Sequence, residues 1–311
     1  MASESGAATT TTGMSSDAPY YALLFFAAFV LSTNHVIGRW VQGEMPPMGV
    51  TFWRIAIGTL LVLPFAWRDF VLRRKDLASR WPLFVGLGIG LVIFGNAGVY
   101  LAYQFTTAVN GGVLATAQPI VTVLFSWLLF RDAATPRQLA GVVLATLGVL
   151  AIVSRGDLAL LTSLQWNIGD LIMIAAMAGF AFYNVSLRRL PAGMSPMLVL
   201  FVVQLAALPV VAPIYIAETI FIQPVPLTWK SLAILAWIGS FVAVGAVGCT
   251  NTAVIRLGAN RAAIGNYMRA LITAGMAIAL LGEALHAFHV VAFILVVGGI
   301  VLLGRRQRRF A

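Results

Sequence analysis

The sequence predicts an all-α integral membrane protein: ten transmembrane helices arranged as two inverted five-helix repeats, with both termini cytoplasmic. Three observations predict it. The first is composition. Of 311 residues, 60% are hydrophobic and 10% charged, with a mean hydropathy of +0.94, where soluble domains carry about 25% charged residues. The second is a series of ten apolar runs, near 19–38, 46–67, 82–104, 109–130, 136–154, 168–187, 195–217, 230–253, 258–281 and 286–304. The third is an internal repeat. The pattern Met-x-Pro-Met-x-Val-x-Phe at Met45–Phe52 returns at Met194–Phe201, and Pro64 is matched by Pro213.

The runs are each about 20 residues, enough to cross a ~30 Å hydrocarbon core as helix. Helices satisfy their own backbone hydrogen bonds, which lipid cannot do, and the alternating segments of a membrane barrel are missing. The repeat extends well beyond its two proline motifs. Asn34 and Arg39 match Asn184 and Arg189, Asp132-Ala133 matches Glu283-Ala284, Gly148 matches Gly299, and Arg155 matches Arg306, with the offset drifting only from 149 to 151 residues. One unit is written twice. The units run over 19–155 and 166–304, between a cytoplasmic tail at 1–18 expected to be disordered and a basic cytoplasmic tail at 305–311. The first tail lacks the basic region of a signal peptide, so the first run is expected to be retained.

Charge sets the orientation. One set of connections carries fifteen Lys or Arg, among them Arg73, Arg74, Lys75, Arg188, Arg189 and the cluster at Arg305–Arg309. The opposite set carries three, Arg39, Arg155 and Lys230. The positive-inside rule then places both termini in the cytoplasm. It also accounts for the net charge of +10: the neighbour is an anionic leaflet, not nucleic acid. The single cysteine, Cys249, excludes an intramolecular disulfide. Five spans per copy is an odd number, so the second copy inserts upside down. Inverted repeats of this kind place a substrate site near the midplane between the halves; the alternative is a duplicated scaffold that transports nothing.

Two arginines lie inside spans. Arg54 is seven residues into its run, ~10 Å deep, and Arg269 is close to the centre of its own. A basic group at mid-bilayer costs about 2.5–3.5 kcal/mol on insertion scales. The functional reading is capture of a substrate carboxylate by a guanidinium fork; the structural one is bonding to helix carbonyls. The same runs hold Asn34, His35, Trp53, Asn96, Tyr100, Tyr103, Gln118, Tyr183, Asn184, Gln204, Asn251, Asn266 and Tyr267. As a set they suit a wet, amphiphilic cavity; singly, each serves equally as interhelical glue. Asp132, Asp170, Glu218 and Glu283 fall at span ends, with Glu283 and Asp132 expected to pin loops or cap helices. No carboxylate sits at mid-membrane, as an exporter of lipophilic cations would need. Gly86, Gly88, Gly90, Gly95 and Gly98 are expected to bring the third helix close to its neighbours, and Pro119 to kink the fourth. His286-x2-His289 is a weak metal spacing, no hydrolase or phosphate-loop motif is present, and no cofactor or enzymatic activity is expected.

Several of these residues occur in an order that resembles the drug/metabolite transporter superfamily, EamA type. They are Pro47-x6-Arg54; Gly111-Gly112-x6-Pro119 followed by Arg131-Asp132-x5-Gln138-x2-Gly141; Gly169-Asp170 with Tyr183-Asn184-x3-Arg188; and Gly282-Glu283. Within it the chain is similar to the bacterial aromatic amino acid exporters. The resemblance implies export of amino acids across the inner membrane; a lipophilic-cation exporter, a passive channel and a membrane enzyme or receptor scaffold are the alternatives, and the oligomeric state stays open, a monomer being compatible with the sequence. The chain departs from the pattern at Arg269-Ala270, where the ninth span usually has a proline, and at Asp132, where a Glu is usual.

Overall fold

The computed structural model describes residues 17–131, 135–154, 156–157, 167–191, 193–257 and 264–304. Ten helical runs follow one another. They are α1 (Ala18–Trp40), α2 (Pro47–Leu72), α3 (Trp81–Ala102), α4 in two pieces (Ala108–Ala115 and Gln118–Phe130), α5 (Pro136–Val153), α6 (Ile168–Ser186), α7 (Pro196–Phe221), α8 (from Trp229 to Leu257), α9 (Ile264–Leu281) and α10 (Ala287–Gly304). Six are long and apolar enough to span a membrane alone. The α4 pair makes a seventh, bent by 44°, and α5, α9 and α10 are shorter apolar helices. A short helix, Arg74–Ser79, links α2 to α3. The expected spans at 19–38 and 46–67 are longer in the structure, and the start of the 258–281 run lies outside the described residues.

Hydrogen bonds between loops fix the direction of each helix. At one end, Gln42 donates to the Gln104 carbonyl, Asn167 to the Phe105 carbonyl, and Lys230 to Glu44. This is the α1–α2 end, where α1 finishes and α6 begins. At the other, the α2–α3 end, Arg73 donates to the Gly193 carbonyl and Arg188 to Ser126. Helices α1 and α6 therefore run in opposite senses, as do α2 and α7. The packing has the same exchange symmetry. Helix α1 lies on α9 as α6 lies on α4, and α3 packs on α6 as α8 packs on α1, while α2 pairs with α7 and α5 with α10.

The α2–α7 pair shows how the ends are closed. Both helices have 26 residues, start on a proline and are offset by 149. The first N–H groups of a helix have no partner within it, and hydrocarbon supplies none. Ser195 caps α7, accepting from the Leu198 N–H and donating to Asp69 of α2. The equivalent cap of α2 is Pro46, with no side-chain acceptor. Glu218, at Asp69's equivalent position in α7, reaches across instead. It accepts from Met48 and Gly49 N–H at 3.2 and 2.8 Å. Glu283 does the same for α4, accepting from Ala108 and Val109 N–H at 2.8 and 2.9 Å. Glu283 thus caps a helix; Asp132 lies outside the described residues.

Two irregularities were not legible in the run lengths. Helix α3 contains a nine-residue π-helical segment, Ile89–Ala97, and α8 contains another, Ile238–Ala246, at the same place in its repeat. Glycines of α3 sit hard against neighbours: a Cβ on Gly90 would lie 2.7 Å from the Phe182 ring and one on Gly95 2.7 Å from Phe180. Gly86 faces open space. The repeat-matched Gly148 and Gly299 each let α5 and α10 approach closely: a Cβ on Gly148 would be 2.8 Å from the Ala292 carbonyl oxygen and one on Gly299 2.5 Å from that of Gly141. Gly299→Leu is therefore expected to destabilise the fold by about 1–3 kcal/mol through overpacking, whereas Gly275→Leu, into open space, leaves stability nearly unchanged. Thermal unfolding of both variants in detergent checks this.

Candidate functional site

A cavity of about 180 Å³ lies between the halves, enough for a small solute or a cluster of waters. It is lined by the first four helices of each repeat, and α5 and α10 contribute nothing to its described wall. Residues Asn34, His35, Arg54, Asn96, Gln118 and Arg269 come together there, with Gln204 and the apolar Met177 and Phe180. Asn96 comes from the π segment of α3 and Ala243 from that of α8. Such segments recur at functional sites because the widened turn re-aims side chains. Helix α4 breaks between Ala115 and Gln118, and both residues face the cavity; Pro119 opens the second piece, where its missing N–H costs no bond.

The two arginines stand differently. Arg54 is buried, and its Nη1 donates to Asn34 Oδ1 at 3.4 Å and to the Tyr100 hydroxyl at 3.3 Å. The Tyr100 O–H itself donates to Asn34 Oδ1 at 2.6 Å. The Arg54 guanidinium is thus held in place from α1 and α3. The Arg269 guanidinium has no hydrogen bond or ion pair with any described residue, and it opens on the cavity. What holds α9 here is its backbone, since the Arg269 carbonyl accepts from Ser32 of α1 at 2.9 Å. On the opposite wall Gln204 accepts from Thr59 at 3.2 Å. Among the described lining residues there is no carboxylate.

Other expected site residues lie elsewhere. Tyr100 and Tyr103 are fully buried behind Asn34 and His35, so they position the wall and do not form it. Trp53 points outward: one residue before Arg54 is ~100° around the helix. It is 39% exposed and donates its indole N–H to Tyr215 at 3.2 Å. Tyr183 packs with the α2–α7 core, and Asn184 is exposed one turn beyond Phe180. The side chains of Asn251, Asn266 and Tyr267 lie outside the described residues. His289 is fully engaged, its Nε2 paired with Asn110 Oδ1 at 2.7 Å and its Nδ1 accepting the His286 N–H at 2.9 Å. No group of three metal-ligating side chains occurs among the described residues. Met177 and Phe180 were not among the expected lining residues; their spacing of three on an otherwise apolar helix resembles any packing face.

Comparison with known proteins agrees with this architecture. The EamA-like transporter family matches twice, over residues 18–154 and 167–305. The uncharacterized transporter YyaM of Bacillus subtilis is 23% identical over 91% of this chain and 92% of its own length. An uncharacterized transporter of Archaeoglobus fulgidus is 32% identical over 46% of this chain and 48% of its own. A solved crystal structure at 20% identity superposes with a TM-score of 0.57 over 94% of this chain and 99% of its own, which shows a shared fold. With two matches that between them take in all ten helices, the chain belongs to the EamA-like transporter family, and it is a multi-pass membrane transporter and not an enzyme.

Proposed function

We propose that this transporter exports amino acids, aromatic and other neutral ones, or closely related carboxylate metabolites, by alternating access. One observation carries the reading: the Arg269 guanidinium faces the cavity without a partner among the described residues, beside a fixed Arg54 and with no carboxylate in the described lining. Such a cavity attracts an anionic group and repels a cation. A guanidinium takes a carboxylate through two parallel hydrogen bonds. Amide oxygens of Asn96, Gln118 and Gln204 offer acceptors for an ammonium group, and Phe180 and Met177 offer an apolar surface for a side chain. In this scheme Arg269 binds the substrate carboxylate, while Asn34 and Tyr100 hold Arg54 in place.

The basic connections favour an orientation with the α2–α3 end and both termini on the cytoplasmic side of the cell's inner membrane. Alternating access follows from the inverted repeat: exchanging the conformations of the two halves turns a cavity closed at one end into one closed at the other.

The test is counterflow in proteoliposomes loaded with a panel of amino acids. Saturable exchange is expected, falling by about 10-fold or more in Arg269→Ala, the scale of losing a hydrogen-bonded charge, and partly kept in Arg269→Lys. Non-saturating flux would mark a channel instead, and competition by cationic dyes a cation exporter. Tyr100→Phe removes hydrogen bonds from both Asn34 and Arg54. It is expected to cost about 1–3 kcal/mol of stability, and less than that when combined with Arg54→Met, because the two act on one network. Unfolding of both variants measures the coupling.

A further inference from the structure

Tyr103 stands between groups that line two different pockets. Tyr103 follows the last turn of α3 and is wholly buried. Its ring lies in a slot between α1 and α4 built from two glycines. A Cβ on Gly38 would lie 2.8 Å from the ring, and one on Gly111 2.5 Å from its hydroxyl oxygen. Any other residue at either place would push the ring out.

The two polar ends of Tyr103 are bonded to residues that line different pockets. Its hydroxyl pairs with His35 Nδ1 at 2.6 Å, and His35 lines the central cavity. Its backbone carbonyl accepts from Arg39 at 3.2 Å. Arg39 lines a pocket of about 340 Å³ at the α1–α2 end, together with Glu283, Asn110, Asn167 and His289. Polar groups of that pocket are tied mostly to one another. Glu283 caps α4 and stands 3.6 Å from Arg39, His289 bonds Asn110, and Asp170 bonds Thr106. A pocket whose groups are already paired passes a solute on and does not hold it. The Glu283 contacts also clamp α4 to α1, the two helices that form the slot.

We propose that Tyr103 is the barrier between the central cavity and this second pocket, and that the second pocket is the vestibule through which substrate passes at the α1–α2 end. Passage requires α1 and α4 to part, which frees the ring from its slot and breaks the Glu283 contacts with Arg39 and α4. The vestibule role rests on the carrier reading above; the barrier does not.

The experiment places a lone cysteine in the cavity, Gln118→Cys in a Cys249→Ser background, in sealed vesicles. A membrane-impermeant thiol reagent is applied from each face, with Trp229→Cys, exposed beside the α1–α2 end, identifying that face. Labelling from the α1–α2 face is expected to be slow with Tyr103 present. It should rise at least tenfold in Tyr103→Ala and stay slow in Tyr103→Phe, which keeps the ring. Gly111→Ala, which pushes the ring from its seat without emptying the core, should also raise it and serves if Tyr103→Ala does not fold. Equal labelling rates with and without the ring overturn the proposal, as does fast labelling of the Tyr103 protein. Faster labelling, with no saturable counterflow by the unsubstituted protein, keeps the barrier and removes the carrier reading, so the two fail separately.

Discussion

A guanidinium cannot be left in hydrocarbon without compensation, and much of this molecule's interior is the compensation. Arg54 is surrounded by Asn34 and Tyr100, donors and acceptors delivered by two other helices. Arg269 is given space instead of partners. Its helix is anchored by a backbone bond to Ser32, leaving the charged end to the cavity. The pair differ in energetic character. A fixed charge with its hydrogen bonds made is part of the wall. A charge with none made is a group for which an incoming anion replaces water at little cost in reorganisation.

The same economy governs the helix ends. Carboxylates recur where the first N–H groups of a helix would otherwise go unsatisfied. Each is supplied from outside the helix it caps, so a local need becomes a tertiary contact. Glu218 ties α7 to α2, and Glu283 ties the α9–α10 turn to α4. The sequence shows why a long acid stands at 218 and a shorter one at 69: Ser195 caps its own helix and needs Asp69 only as an acceptor, whereas Pro46 leaves Glu218 to do the capping. None of these acids lines the central cavity.

Much of this was legible in the chain. The two-copy arrangement, the ten apolar runs, the role of Glu283 and the meeting of both arginines in one cavity all follow from spacing, charge and the cost of burial. What could not be read was direction within a turn. Trp53 and Arg54 are neighbours in sequence, yet ~100° apart on the helix Arg54 is buried and Trp53 is exposed. Tyr100 and Tyr103 do lie on one face, but whether a tyrosine lines a cavity or stands behind an asparagine depends on α1, 60 residues or more away. The π segments leave no trace in the hydropathy of their runs, since Ile89–Ala97 and Ile238–Ala246 are apolar, like the runs that contain them.

The matching π segments have an evolutionary corollary. Each occupies nine residues at an offset of 149, and the Asp69 and Glu218 contacts share that offset. Two separate polypeptides, each a single half, would place an acid beside the partner's helix start at both ends if they entered the membrane in opposite senses, although the two contacts now differ in chemistry. Fusion would then add only a tether between α5 and α6. After it the copies are free to diverge, and Arg54, whose corresponding position in the second half is Val203, marks a place where the two halves differ in charge.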